Sequence, residues 1–237
     1  LGYVPETTII TMNMLDASSN AGVKKFLWLS STTGYPKSDS PLQENQFHQH
    51  MPQKPYFSVG IMSRYLEQIS KEYTNKNDSF TVIALRPTGV YGPGDDFDFS
   101  TCHVLPALLR RVVENQNPIE IWGDGEDRRD WIYIDDLIEA CISSIDNLHG
   151  FHAINIGSGK SVSINQVIDI LDEIGGEPRI RKYLEVKKKG VNKMEFDCTL
   201  AEKKLGFVAK HSLEKGIEKT FRWYKTKQLK GSCCEED

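Results

Sequence analysis

The sequence predicts an α/β fold with a mainly parallel sheet. Two observations predict it. Short, nearly continuous apolar runs alternate with longer stretches of helical periodicity. The runs "KKFLWLSS", "FTVIALRP" and "HAINIG" suit strands buried on both faces, as in a parallel sheet. The residues that follow them, "LSSTTGYP", "RPTGVYGPGDD" and "NIGSGKS", are rich in Ser, Thr, Gly and Tyr. Ligands of such folds collect beyond the carboxyl ends of the strands, so these ends are the predicted polar pocket.

Taken in order, residues 6–22 read as a helix that stops at Gly22, and 24–31 as the first strand. The stretch "PYFSVGIMSRYLEQISKEY" opens a helix at about residue 56. Its apolar positions Val59, Met62, Leu66 and Ile69 are spaced by three and four, and Pro55 suits its first turn. Residues 80–87 form the second buried strand, and 102–115 a helix. "IEIW" and "DWIYI" are short strands on either side of the turn "GDGEDRR". "DDLIEACISSI" is a helix with acidic residues in its first turn, which the helix dipole favours. "HAINIG" is the third strand. Ser163 caps "SINQVIDILDEIGG", which closes on glycines. A short helix at 199–205 and a last one from 212 to about 225 complete the chain. The tail from 229 to 237 is polar and reads as disordered.

The chain has 237 residues, enough for one substantial domain or two small ones. An apolar content of 39% and a charged content of 26% are those of a soluble globular protein. The net charge of -4 argues against nucleic acid as the main partner. No apolar run approaches the roughly 20 residues that cross a bilayer. "LGYVPETTII" lacks the basic and apolar regions of a signal peptide, so the expected location is cytoplasmic. The first residue is Leu rather than Met, which reads as a fragment or a processed product. Cys102, Cys141, Cys198, Cys233 and Cys234 form no CxxC pair and are odd in number, so reduced thiols are expected rather than disulfides or zinc.

Five stretches, in order along the chain, carry a resemblance. They are "MLDASSNAGVKKFLWLSST", "LRPTGVYGPGDD", "WGDGEDRRDWIYIDDLIEA", "INIGSGKSVSINQVIDIL" and "LGFVAKHSLEKGIEKTFRWY". Together they resemble the extended short-chain dehydrogenase/reductase family, the NAD(P)-dependent sugar-nucleotide epimerases, dehydratases and reductases. The resemblance implies a Rossmann-like, doubly wound parallel sheet with a small C-terminal α/β substrate lobe. The sheet would here be partial, lacking its N-terminal strands. Residues 1–160 would be the remnant of the cofactor domain, with substrate-lobe segments interleaved at about 94–130. Residues 161–228 would be mainly substrate lobe. A nucleotide sugar is the implied substrate, and NAD or NADP the implied cofactor.

Carried over by position, Ser31 falls on the Ser/Thr that hydrogen-bonds the sugar, and Tyr56 is the tyrosine nearest the catalytic one. Ser30, Pro87, Thr88, Gly89 and Val90 would line the nicotinamide side. Thr32 and Thr33 fall where dehydratases carry acid/base carboxylates. A hydroxyl has no low-pKa proton to exchange, so an epimerase or 4-keto-sugar reductase is favoured over a dehydratase. Arg129 falls on the arginine that grips the diphosphate, a task suited to a planar and permanently charged guanidinium. A surface ion pair with Asp127 or Asp130 is its plainer alternative. Arg128 beside it is expected to be solvated, and Tyr91 to be packing.

The chain departs from the family pattern twice. The family's Tyr-x-x-x-Lys pair is missing. Aligned on Glu67, its places hold Val59 and Ser63; counted from Tyr56, the lysine place holds Gly60. Arg64 lies one residue beyond the lysine place. The Gly-rich dinucleotide turn is also missing, and "GSGKS" at 157–161 lacks the spacer of a phosphate-binding loop. Weak or no NAD(P) binding by this chain is therefore expected. Three readings stay open: an impaired enzyme of sugar-nucleotide metabolism, a non-catalytic binding or partner subunit, and an inactive fragment. Without its first strands, the sheet would end at residues 25–31, and that edge would recruit a second copy or a covering partner.

Overall fold

The structure, a computed structural model, describes residues 3–185 and 193–232. Helix α1 (Val4–Asn20) carries Pro5 in its first turn and leads through Gly22 into strand β1 (Lys25–Leu29). After a loop with three short 3-10 turns come helix α2 (Phe57–Lys76), strand β2 (Thr81–Pro87) and strand β3 (Gly89–Tyr91). Helix α3 (Val104–Val113) and strands β4 (Ile119–Trp122) and β5 (Arg128–Tyr133) follow. Next are helix α4 (Ile134–Asn147), strand β6 (Phe151–Ile156), strand β7 (Ser161–Ser163) and helix α5 (Ile164–Gly175). Strand β8 (Arg181–Leu184), helix α6 (Thr199–Leu205) and helix α7 (Leu213–Ser232) end the described chain.

The central sheet has the order β1-β2-β6 and is parallel throughout. Val82, Ile83, Ala84 and Leu85 of β2 are fully buried, as a middle strand between two helical layers requires. Leu15 of α1 meets Phe80 and Val82 on one face. Leu137 and Ala140 of α4, with Ala201 and Leu205 of α6, cover the other. Fully burying each large apolar side chain contributes about 1.5–3 kcal/mol, so the two layers hold this sheet by sheer number.

A second core joins α3, α5 and α7 to β4, β5 and Tyr91. β5 pairs with β3 in parallel and with β7 antiparallel, while β4 pairs with β8. The two strands flanking the turn at 123–127 are therefore in different sheets. Ser163 caps α5 as expected: its hydroxyl accepts from Gln166 N, and Gln166 returns a bond to Ser163 N.

The structure corrects some expectations. The helix 199–205 belongs to the core of the central sheet, although it lies in the C-terminal part of the chain. α7 runs on to Ser232, so residues 229–232, expected to be disordered, are helical. The helix formers Lys225, Lys227, Gln228, Leu229 and Lys230 carry it as far as Gly231 at its end. Residues 233–237, with Cys233 and Cys234, lie outside the described residues. The buried face of α2 is not the purely apolar stripe its spacing suggested: Ser63, Glu67, Ser70 and Thr74 are buried beside Met62 and Leu66. Among the described residues, no helix is long and apolar enough to cross a membrane.

Candidate functional site

The carboxyl ends of β1, β2 and β6 lie side by side because the strands are parallel and adjacent. Beyond β1, Ser31 opens a 3-10 turn, Thr32–Gly34. Its Oγ accepts from Thr33 N at 3.2 Å and lies 2.8 Å from Thr33 Oγ1. Ser31 and Thr33 stay partly exposed, whereas Thr32 is buried and its hydroxyl donates to Pro87 O at 3.4 Å. That bond ties the β1 end to the β2 end. Thr88 is buried; its N donates to Ile156 O at 2.8 Å, and its Oγ1 is a buried atom with no hydrogen-bond partner. Gly89 and Val90 pair with Trp131 and Ile132 of β5.

Ser30 is turned inward, and its hydroxyl donates to Glu67 Oε1 at 2.6 Å. Glu67, on α2, also receives Arg86 of β2 through both carboxylate oxygens, from Nε at 2.9 Å and Nη2 at 2.6 Å. Both residues are almost fully buried. Arg86 lies 3.6 Å over the Phe47 ring, and its Nη1 donates to the Tyr35 hydroxyl at 2.8 Å. Tyr35 donates to Asn155 Oδ1 at 2.6 Å, and burial pushes its phenol well above the ordinary value. Asn155 N donates to Glu44 Oε1 at 3.0 Å, and Asn155 Nδ2 reaches the carbonyls of Leu42 and Asp197. One buried polar network thus joins β1, α2, β2, β6 and the loop after β1. Such a network is favourable only when its members are satisfied, and here they are.

The network fixes how α2 faces the site. Residues four apart share a helix face, so Val59, Ser63 and Glu67 lie in one line. On the register aligned on Glu67, Val59 and Ser63 are the two positions set against the family's tyrosine and lysine. Ser63 is 1% exposed, and its hydroxyl donates back to Val59 O at 3.0 Å. Neither side chain titrates in the physiological range. Tyr56 ends the 3-10 turn Lys54–Tyr56 before α2 and packs against the cluster of Tyr35, Leu42, Phe47, Met194 and Phe196. Counting from Tyr56 reaches Gly60, where an added Cβ would stand 2.6 Å from Thr33 O and 2.7 Å from Pro52 Cβ. That site has no room for a lysine. Arg64 is committed to the loop after β1, its Nε donating to Gly34 O at 2.9 Å and its Nη2 to His50 O.

On β5, Arg129 is partly exposed and pairs with Asp127 Oδ2 at 3.3 Å. Its Nη1 donates to the Arg128 carbonyl at 2.9 Å. Arg128, expected to be solvated, is instead tied to β7 through the Ser161 carbonyl and to Gln166 Oε1. The antiparallel register sets Arg128 opposite Ser163 and so brings it to that strand. Asp130, read from the sequence only as a partner for Arg129, is buried and takes its hydrogen bonds from Ser158 and Gly159. The signal for this was the strand period itself, which sends Arg129 and Asp130 to opposite faces. Tyr91 is core, as expected.

The profile of the NAD dependent epimerase/dehydratase family matches residues 2–157. The chain belongs to the NAD dependent epimerase/dehydratase family. A probable GDP-L-fucose synthase 1 of Oryza sativa subsp. japonica is 30% identical over 230 residues, covering 94% of this chain and 69% of the rice protein. A UDP-glucuronate 4-epimerase of Thermodesulfobacterium geofontis is 31% identical over 224 residues, covering 94% of this chain and 66% of its own length. The chain thus spans about two thirds of the length of these relatives. Among solved structures, UDP-glucose 4-epimerase of Thermotoga maritima, determined with UDP-glucose, superposes with a TM-score of 0.82 at 29% identity. It covers 92% of this chain and is itself covered to 69%. MoeE5 in complex with UDP-glucuronic acid and NAD has a TM-score of 0.80 at 27% identity, with 92% of this chain and 71% of MoeE5 covered. The chain therefore has the Rossmann-type α/β fold and descends from the sugar-nucleotide epimerase and reductase lineage.

Members of the epimerase/dehydratase family take NAD(P), and the residues here do not fit the whole group. A dinucleotide needs free backbone N–H groups at a glycine-rich turn and a cation at the nicotinamide ribose. The glycine-bearing turn at 157–159 has Ser158 N and Gly159 N already bonded to Asp130. On the Glu67 register the lysine place falls on Ser63, whose hydroxyl is bonded within its own helix.

Proposed function

We propose that this chain is a nucleotide-sugar-binding unit of the epimerase and reductase lineage that does not itself carry out proton transfer coupled to hydride transfer. The observation that supports this reading is the buried Glu67–Arg86 pair, which fixes the α2 face on which the Glu67 register sets Val59 and Ser63 against the catalytic tyrosine and lysine. Proton transfer at neutral pH needs a group with a pKa near the working pH. A tyrosine reaches that range only beside a cation, from an ordinary value of about 10. Val59 has no proton to give, and Ser63 offers no charge.

What remains is suited to holding a polar anionic ligand. Arg129 offers a planar cation, a group that suits a diphosphate through paired N–H donors. The partly exposed hydroxyls of Ser31 and Thr33 can bond sugar hydroxyls, and buried Thr32 keeps that turn against Pro87. The test is to incubate the purified chain with UDP-glucose and NAD and separate the products by chromatography. The reading expects no new nucleotide sugar. Epimer formation that follows the protein through purification would overturn it.

A further inference from the structure

Three stretches that stand apart in the sequence meet at one carboxylate. Asp130 on β5 is 3% exposed. Its Oδ1 accepts from Ser158 N at 3.0 Å and Ser158 Oγ at 2.6 Å, and its Oδ2 accepts from Gly159 N at 3.1 Å. The turn presses close: a Cβ added at Gly157 would stand 2.5 Å from Thr88 Cγ2 and 2.7 Å from Asp130 Oδ2. Thr88 is in turn bonded through its N to Ile156 O, the residue that leads into the turn. The ends of β2 and β6 are thus gathered onto β5. Asp130 is the residue after Arg129, and its side chain leaves the opposite face of the strand.

We propose that Asp130 is a positioning residue for the nucleotide-sugar site, fastening the turn at 157–159, against which Thr88 packs, to the strand that presents Arg129. This rests on the reading of Arg129 as the diphosphate ligand. A buried carboxylate without a cation is costly unless its lone pairs are filled, and here backbone and hydroxyl donors fill them. Burial, with Glu195 nearby, raises the carboxyl from 3.8 to about 6 in spite of those bonds. The titratable groups facing it from the 193–198 segment are Glu195 and Cys198. The Ser161 hydroxyl and Lys193 hold Glu195 below the ordinary range, so it stays charged. Burial pushes the Cys198 thiol up, so it stays neutral. Asp130 is then the group of this cluster that changes charge near pH 6. Protonation turns one acceptor oxygen into a donor that faces other donors, and the turn loosens.

The test measures UDP-glucose affinity by calorimetry across mildly acid to neutral pH, with thermal melts on the same samples. The proteins are the unaltered chain, Asp130→Asn and Ser158→Ala. The unaltered chain should bind more weakly below about pH 6. Asp130→Asn should lose on the order of tenfold at neutral pH and show no such pH dependence. Ser158→Ala removes one donor from a half-buried turn. It should move affinity in the same direction by a smaller factor while melting like the parent, which keeps the test decisive if Asp130→Asn does not fold. Binding by folded Asp130→Asn equal to the parent, or by Ser158→Ala if the former is unfolded, would overturn the positioning role alone. Failure of the unaltered chain to bind any nucleotide sugar would remove both the site and the role.

Discussion

Glu67 shows how much one residue decides. Its carboxylate is the buried partner of Arg86 and the acceptor for Ser30, so it holds α2 against two strands. Removing one partner of a buried pair leaves an uncompensated charge. Glu67→Gln should therefore destabilise the fold by about 3–5 kcal/mol, seen as a lowered midpoint in urea denaturation. A change within error would show that water or Tyr35 already serves Arg86. Arg129 differs in being partly exposed and in pairing with the half-exposed Asp127. Arg129→Ala should leave the denaturation midpoint near the parent value. It should also cost nucleotide-sugar binding about 1.5–3 kcal/mol, the worth of a hydrogen bond to a charged group. Unchanged affinity in a calorimetric titration would remove Arg129 from the site.

At the scale of elements, local signals read well and distant ones did not. The α5 start was legible because Ser163 and Gln166 cap within three residues of each other. Ser163→Ala should lower stability by about 1 kcal/mol, measurable as a small shift in melting temperature. The parallel sheet was legible because β1, β2 and β6 are short apolar runs set between helices. The pairing of β4 with β8, across some 60 residues, left no mark in composition. Nor did the polar line buried on α2, since Glu67 is satisfied by residues of other elements, Ser30 and Arg86, while Ser63 bonds a carbonyl of its own helix. Of the site, the loops after the strands and Arg129 were visible as motifs. The Asp130 contacts were not, because they join β5 to a turn 28 residues further on.

At the scale of the whole molecule, the described residues leave one side of the central sheet uncovered. β1 has one strand neighbour among the described residues, and Leu29 at its end is 51% exposed. On α4, which packs against that strand, Ile138, Ile142 and Ile145 are all exposed. An open strand edge beside an apolar helix face favours pairing with another chain. Sedimentation of the 237-residue chain should show self-association, and Ile142→Glu should shift it toward monomer. A stable monomer with slowly exchanging amides on both edges of β1 would contradict this. We infer that these 237 residues bind a nucleotide sugar and do not by themselves bind NAD. The most direct measurement is a pair of calorimetric titrations of the same protein, one with UDP-glucose and one with NAD. The account predicts saturable binding of UDP-glucose and none of NAD at comparable concentrations. Low-micromolar NAD binding, with or without the sugar nucleotide, would contradict it.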